Sequence, residues 1–122
     1  RPQLIPWSVN TLAQAAALAA LEDVAFAAET HAWLEAERGS FQERLRSLAG
    51  CWRVFPSRVN FFLLRMERTG LTAPELAARL ARRGLAIRDA SNFLGLGERY
   101  VRVAVRGAGE NRHLLEELGK EF

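Results

Sequence analysis

The run Tyr100-Val101-Arg102-Val103-Ala104-Val105-Arg106 carries the clearest pattern in the chain. Its valines occupy every second position, so it predicts a strand with one apolar face and Tyr100, Arg102, Ala104 and Arg106 on the other. Val59-Asn60-Phe61-Phe62-Leu63-Leu64 is short, apolar and partly β-branched or aromatic, which predicts a buried strand. Leu85-Ala86-Ile87-Arg88 predicts a third, brief strand, and the segment from Asp89 to Arg99 is a loop rich in turn formers.

Helices surround these strands. Ser8 and Asn10 are suitable N-caps, and from Thr11 to about Arg38 an alanine-rich stretch holds no Pro or Gly. One long helix is the expectation there, with Gly39 ending it. Ser40 and Glu43 have capping-box spacing for a short helix carrying Phe41, Leu45 and Leu48, closed by Gly50. Thr72 and Glu75 repeat that spacing before a helix that buries Leu76 and Leu80 and stops at Gly84. A last helix from about Ala108 carries Leu114, Leu115 and Leu118. The predicted fold is α+β: a small antiparallel or mixed sheet of about three strands, covered by helices on one face, with a long N-terminal helix. No repeat, low-complexity segment or internal linker divides it, and 122 residues suit one domain.

Composition narrows the classes. Apolar residues make up 49% of the chain and charged residues 25%, a globular balance. No apolar run reaches the roughly 18 residues of a membrane-crossing helix. The opening Arg1-Pro2-Gln3-Leu4-Ile5-Pro6 lacks the order of a signal peptide, and the single cysteine, Cys51, forms no internal disulfide. A cytoplasmic location is expected. The net charge of +3 raises the question of nucleic acid, yet all the basic residues except Lys120 are arginines, most with glutamates nearby on predicted helices.

The chemistry-bearing candidates are few. If the valines of the last strand face the helices, Arg102 leaves the opposite face of the sheet. The same argument buries Leu85 and Ile87 and sends Arg88 out beside Arg102. Two guanidinium groups on one side suit a doubly anionic ligand, since each grips a carboxylate or phosphate with parallel hydrogen bonds. The alternative is that both pair with glutamates or simply cover the sheet. A reading from another class is a basic module that binds RNA or another partner, but Tyr100 alone offers this predicted sheet a stacking ring. His31 and His113 have no partners at metal-ligand spacing, Cys51 beside Trp52 reads as a packed thiol, and Gly95-x-Gly97 opens no helix. Trp7, Trp33 and Trp52 read as core or contact residues.

The stretch Ile87-Arg88-Asp89-Ala90-Ser91-Asn92-Phe93, then Gly95-Leu96, Tyr100 to Arg106 and Glu110-Asn111, resembles the end of the threonine-phosphate decarboxylases of the cobalamin pathway. Pro6-Trp7-Ser8-Val9-Asn10 resembles the entry to that family's small domain, and Pro56-Ser57 and Asn60-Phe61 also fit. Histidinol-phosphate aminotransferases are close relatives that share the two arginine positions but match less well at Ser91-Asn92-Phe93 and at Trp7. Ala90 departs from the cysteine of many relatives. The resemblance implies the C-terminal small domain of a pyridoxal-phosphate enzyme of fold type I, over residues 1–122, with the cofactor held mainly by a large domain absent from this chain. It implies conversion of L-threonine O-3-phosphate to (R)-1-amino-2-propanol phosphate and carbon dioxide, with the histidinol-phosphate aminotransferase reaction as the alternative. By matching position it implies that Arg102 holds the substrate carboxylate and Arg88 the phosphate, with Trp7, Asn10, Ser91 and Asn92 lining the cleft. No catalytic or metal-binding residue is expected within the chain, which alone should be inactive. The implied partners are a phosphorylated amino acid, the N-terminal domain and a second subunit in a homodimer, without nucleic acid or membrane.

Overall fold

A computed structural model describes residues 9–48, 50–67 and 70–121. The chain divides into two compact units, Arg1–Trp33 and Leu34–Phe122. In the first, helix α1 (Thr11–Glu22) is capped by Asn10, whose Oδ1 accepts from the Ala13 N–H at 2.8 Å. None of its residues is buried, and Leu12 and Leu21 are 83% and 80% exposed.

The long helix expected from Thr11 to Arg38 is instead two helices. The chain breaks at Asp23, whose carboxylate accepts from the Phe26 N–H at 2.9 Å and so caps α2 (Val24–Ser47). Gly39 does not end α2, and Ser40 opens no new helix. Among the described residues the glycines with positive φ are Gly50, Gly84 and Gly95, so Gly39 is not at a left-handed stop. Two turns of helix beyond it place Phe41 and Leu45, four residues apart, in the core. Burying both offsets the roughly 1 kcal/mol that an interior glycine costs a helix.

The second unit is built on a sheet of four strands, one more than expected. Strands β1 (Trp52–Val54), β2 (Phe61–Met66), β3 (Arg88–Asp89) and β4 (Tyr100–Ala104) lie in the order β1-β2-β4-β3, and every neighbouring pair is antiparallel. β2 starts at Phe61 rather than Val59, since Val59 and Asn60 are exposed. Leu85 to Ile87 do not pair as strand, although Leu85 and Ile87 pack on the core as expected.

Alternation divides the sheet. Phe62, Leu64 and Met66 of β2, with Val101 and Val103 of β4 and Val105 just beyond it, are buried on one face. Against them lie Leu76 and Leu80 of α3 (Ala73–Ala81), Leu114, Leu115 and Leu118 of α4 (Ala108–Gly119), and Phe41 and Leu45 of α2. The Phe41 and Phe62 rings meet edge-on at 5.9 Å. The expected capping box holds α3: Glu75 accepts from the Thr72 N–H at 2.8 Å and from its hydroxyl at 2.9 Å. These bonds keep the Glu75 carboxyl below the usual carboxylate range. At the other end of α3, Gly84 takes φ +78°, and the Leu85 N–H returns to the Leu80 carbonyl at 3.0 Å.

Polar ties close the layer. Arg83 bridges α3 to Glu117 at 3.0 Å and to Glu121 at 2.8 Å, and Arg79 joins Glu121 at 3.1 Å. Lys120 also pairs with Glu117, and the two cations lower that carboxyl's pKa. Buried Asn111 acts as a substitute strand beyond the end of β4. Its Oδ1 accepts from the Arg106 N–H at 2.8 Å, and its Nδ2 donates to the Arg106 carbonyl at 2.6 Å. Among the described residues no single helix is long and apolar enough to cross a membrane.

The two faces of β2 should respond differently to truncation. Leu64→Ala is expected to cost about 3 kcal/mol in urea unfolding, within the usual range for a buried leucine, and Leu63→Ala less than about 1 kcal/mol. Equal losses at the two positions would contradict the assignment of faces.

Candidate functional site

The face of the sheet away from the helices carries Arg53 and Phe55 beside β2, Phe61, Leu63 and Arg65 on β2, Tyr100, Arg102 and Ala104 on β4, and Arg88 on β3. Period two dictates this set, because the alternate residues of β2 and β4 are committed to the core. Arg88 and Arg102 are direct partners across the β3–β4 ladder. Directly opposed residues project to the same side, with Cβ atoms about 4.5–5.5 Å apart. The expectation that both arginines leave the sheet together is therefore realised.

Their surroundings set the electrostatics. Like charges in opposed positions repel, and among the described residues neither guanidinium has a carboxylate partner. Arg88 is exposed, lies 5.8 Å from the Phe93 ring centre, and its Nη2 reaches the Asn92 Oδ1 only at 3.5 Å. Arg102 is half-buried, with its guanidinium carbon 4.7 Å from the Phe61 ring centre. Aromatic faces attract the cations without consuming their N–H donors. Each group thus keeps its charge and its planar fork of donors, which is what two-point recognition of phosphate or carboxylate requires. Arg65, on the same face, is a contrast. It binds Glu67 at 2.8 Å, and Glu67 and then Tyr100 hold it still more firmly charged than usual, while Arg65 lowers the Glu67 pKa.

The loop between β3 and β4 is ordered by its own bonds. Asp89 accepts from the Ser91 N–H at 2.8 Å and from its hydroxyl at 3.0 Å. Buried Ala90 donates its N–H to the Tyr100 carbonyl at 3.0 Å, and Gly95 makes the left-handed turn at φ +82°. Ser91 is thereby engaged with Asp89, and Asn92 is the loop side chain that stands beside Arg88. Asn10 belongs to the other unit, where it caps α1, and Trp7 lies outside the described residues.

Two aromatic features were not expected. Phe61, read as part of a buried strand, lies on the open face beneath Arg102. Counting back by twos from Arg65 would have placed Leu63 and Phe61 there. Tyr100 also has an aromatic neighbour, Phe55, at 6.1 Å, which corrects the expectation of a lone ring. Trp52 is buried, whereas Trp33 is 46% exposed. No group of metal-ligating side chains occurs among the described residues.

The fold and this face define an α+β domain that presents a cationic pair, held by rings, on an otherwise open sheet. The chain belongs to the family of class I and II aminotransferases, which it matches over residues 3–118. It is 42% identical to the threonine-phosphate decarboxylase of Salmonella typhimurium over 97% of its own length and 31% of that protein's. Among solved structures it is similar to the histidinol-phosphate aminotransferase from Clostridium acetobutylicum, with a TM-score of 0.83 and 31% identity, over 98% of this chain and 35% of that one. It is also similar to the L-threonine-O-3-phosphate decarboxylase from Porphyromonas gingivalis, with a TM-score of 0.65 and 34% identity, over 71% and 26% of the two chains. The chain thus spans about a third of the length of the curated relative it matches.

An anion that joins the two guanidinium groups would relieve their repulsion and stabilise the fold. Inorganic phosphate at ten times its dissociation constant is expected to add about 1.4 kcal/mol to unfolding stability. The gain should vanish in Arg102→Ala. A phosphate effect of equal size in that variant would place the anion elsewhere.

Proposed function

We propose that this chain is the substrate-binding C-terminal domain of a pyridoxal-phosphate enzyme that decarboxylates L-threonine O-3-phosphate to (R)-1-amino-2-propanol phosphate and carbon dioxide. The observation that carries the reading is the opposed Arg88–Arg102 pair, uncompensated by carboxylates among the described residues. It occurs in a chain 42% identical to a threonine-phosphate decarboxylase. A substrate with one carboxylate and one phosphate supplies the two anions that such a pair suits.

This chain's own residues do not fit the cofactor. Its single lysine, Lys120, stands at the end of α4 and pairs with Glu117, so no amine is offered for a covalent link. The cofactor accordingly belongs to a large N-terminal domain of the same enzyme, where it supplies the electron sink for loss of carbon dioxide. What this domain contributes is binding and orientation. Arg102 grips the substrate carboxylate and Arg88 the phosphate, which fixes the scissile bond relative to the cofactor and raises the rate through positioning. Asn92 stands beside Arg88 and completes the phosphate side, with Ser91 next to it. The working enzyme is a cytoplasmic homodimer.

A second reading is favoured by one observation: the TM-score is higher for the histidinol-phosphate aminotransferase, 0.83, than for the decarboxylase, 0.65. Both classes place an anionic substrate against the same scaffold. RNA on the open face gains support from the Phe55–Tyr100 pair, but membership of an aminotransferase family argues for a small anion. Binding of RNA would weaken steeply with salt.

The deciding assay supplies the full-length enzyme with pyridoxal phosphate and O-phospho-threonine. Release of carbon dioxide and aminopropanol phosphate is expected. Arg102→Ala should lower kcat/KM roughly 100-fold, equivalent to about 3 kcal/mol for lost charged hydrogen bonds. Transfer of the amino group from histidinol phosphate to 2-oxoglutarate, without carbon dioxide release, would establish the aminotransferase instead. Unaltered kinetics in Arg102→Ala would remove that residue from the site.

A further inference from the structure

Phe61 is a half-buried aromatic ring on the open face of the sheet, although its apolar ring would serve the core better. The β2–β4 register sets its side of the sheet and brings it next to Arg102. Leu63 is the direct ladder partner of Arg102 and Phe61 that of Ala104, so Phe61 and Arg102 are diagonal neighbours on one face. The guanidinium carbon stands 4.7 Å from the ring centre. Among the described residues the Arg102 side chain forms no hydrogen bond and no ion pair, so the ring is the polarisable surface against which its charge rests. We propose that Phe61 is a positioning residue, which holds the Arg102 guanidinium in place for an anion while leaving all its donors free. The proposal rests on the reading of Arg102 as an anion ligand.

Alternative supports would work less well. A carboxylate at position 61 would neutralise the cation and compete with the substrate for its fork. An aliphatic side chain would leave a long, flexible arginine to be ordered at the moment of binding, at a cost in rotamer entropy. An aromatic face orders the group beforehand, because its negative quadrupole attracts the cation and a planar guanidinium stacks on it. Arg88 has a weaker version of the same support, with Phe93 at 5.8 Å and an exposed side chain. Arg102 is therefore the better ordered partner, and Phe61 is the residue on which that difference depends.

The test uses the full-length enzyme loaded with its cofactor, with Phe61→Leu, Phe61→Tyr and Arg102→Ala compared side by side. Two quantities are read: binding of inorganic phosphate by calorimetry, and the split of KM and kcat for O-phospho-threonine. Phe61→Leu is expected to weaken phosphate binding and raise KM roughly three- to tenfold, the range of a partly exposed cation–π contact. Its kcat should change less than twofold, and Phe61→Tyr, which keeps the ring, should restore both quantities. Where Phe61→Leu does not fold, Phe61→Met, flexible and of similar volume, takes its place with the same expectation. Normal phosphate binding and KM in Phe61→Leu, alongside losses in Arg102→Ala, would overturn the positioning role and leave the arginine site standing. If Arg102→Ala is also unchanged, the anion site itself fails and the role of Phe61 falls with it.

Discussion

The antiparallel pairing of β2 with β4 is the constraint on which the rest depends. It aligns Phe62 with Val103 and Leu64 with Val101, so that one face of both strands is apolar and must be covered. Three helices supply that cover, through Leu76 and Leu80, through Leu114, Leu115 and Leu118, and through Phe41 and Leu45. The pleat then leaves no choice about the other residues. Phe61, Leu63 and Arg65 must leave on the far side with Tyr100 and Arg102. A one-residue slip of either strand would exchange core and site together, so the register that stabilises the fold also composes the cationic face.

That face is held at some expense in stability. Arg88 and Arg102 confront each other across β3 and β4 with no carboxylate between them among the described residues, although the chain uses such pairs freely elsewhere. Arg65 has Glu67, Arg83 has Glu117 and Glu121, and Arg106 has Glu110. The opposed pair has rings instead. Phenylalanine faces temper the repulsion modestly and leave the donors unused, a compromise that suits a ligand-binding surface rather than a structural one. Under the proposed function, the occupant of this surface is an anionic amino-acid substrate.

Much of this was legible in the order of residues, and the failures have physical reasons. The alternation in Tyr100 to Arg106 announced β4 and the outward direction of Arg102, because period two has a single reading when one set is all valine. The Thr72–Glu75 box and the helix from Ala108 were equally plain, since local bonds decide them. β1 was missed because Trp52–Val54 is too short to show a period and exists only through its pairing with β2. β2 hid its two faces, because Phe61-Phe62-Leu63-Leu64 is apolar on both. Gly39 misled in the other direction, since the burial of Phe41 and Leu45 outweighs local propensity. Asp23 carries a legible signal: an aspartate within an alanine-rich run is a natural N-cap, and it breaks the helix there. Of the site, Arg88, Arg102 and the loop at Asn92 followed from pattern and resemblance, whereas the rings beneath the arginines needed the register.

The central claim is that the opposed arginines are held open for the anions of a substrate. Its most direct test is a crystal structure of the full-length enzyme with O-phospho-threonine bound. The account predicts nitrogen–oxygen distances of about 2.7–2.9 Å from Arg102 and from Arg88 to the substrate's carboxylate and phosphate oxygens. It is contradicted if the substrate is bound while both guanidinium groups pair with carboxylates of the protein or turn into solvent.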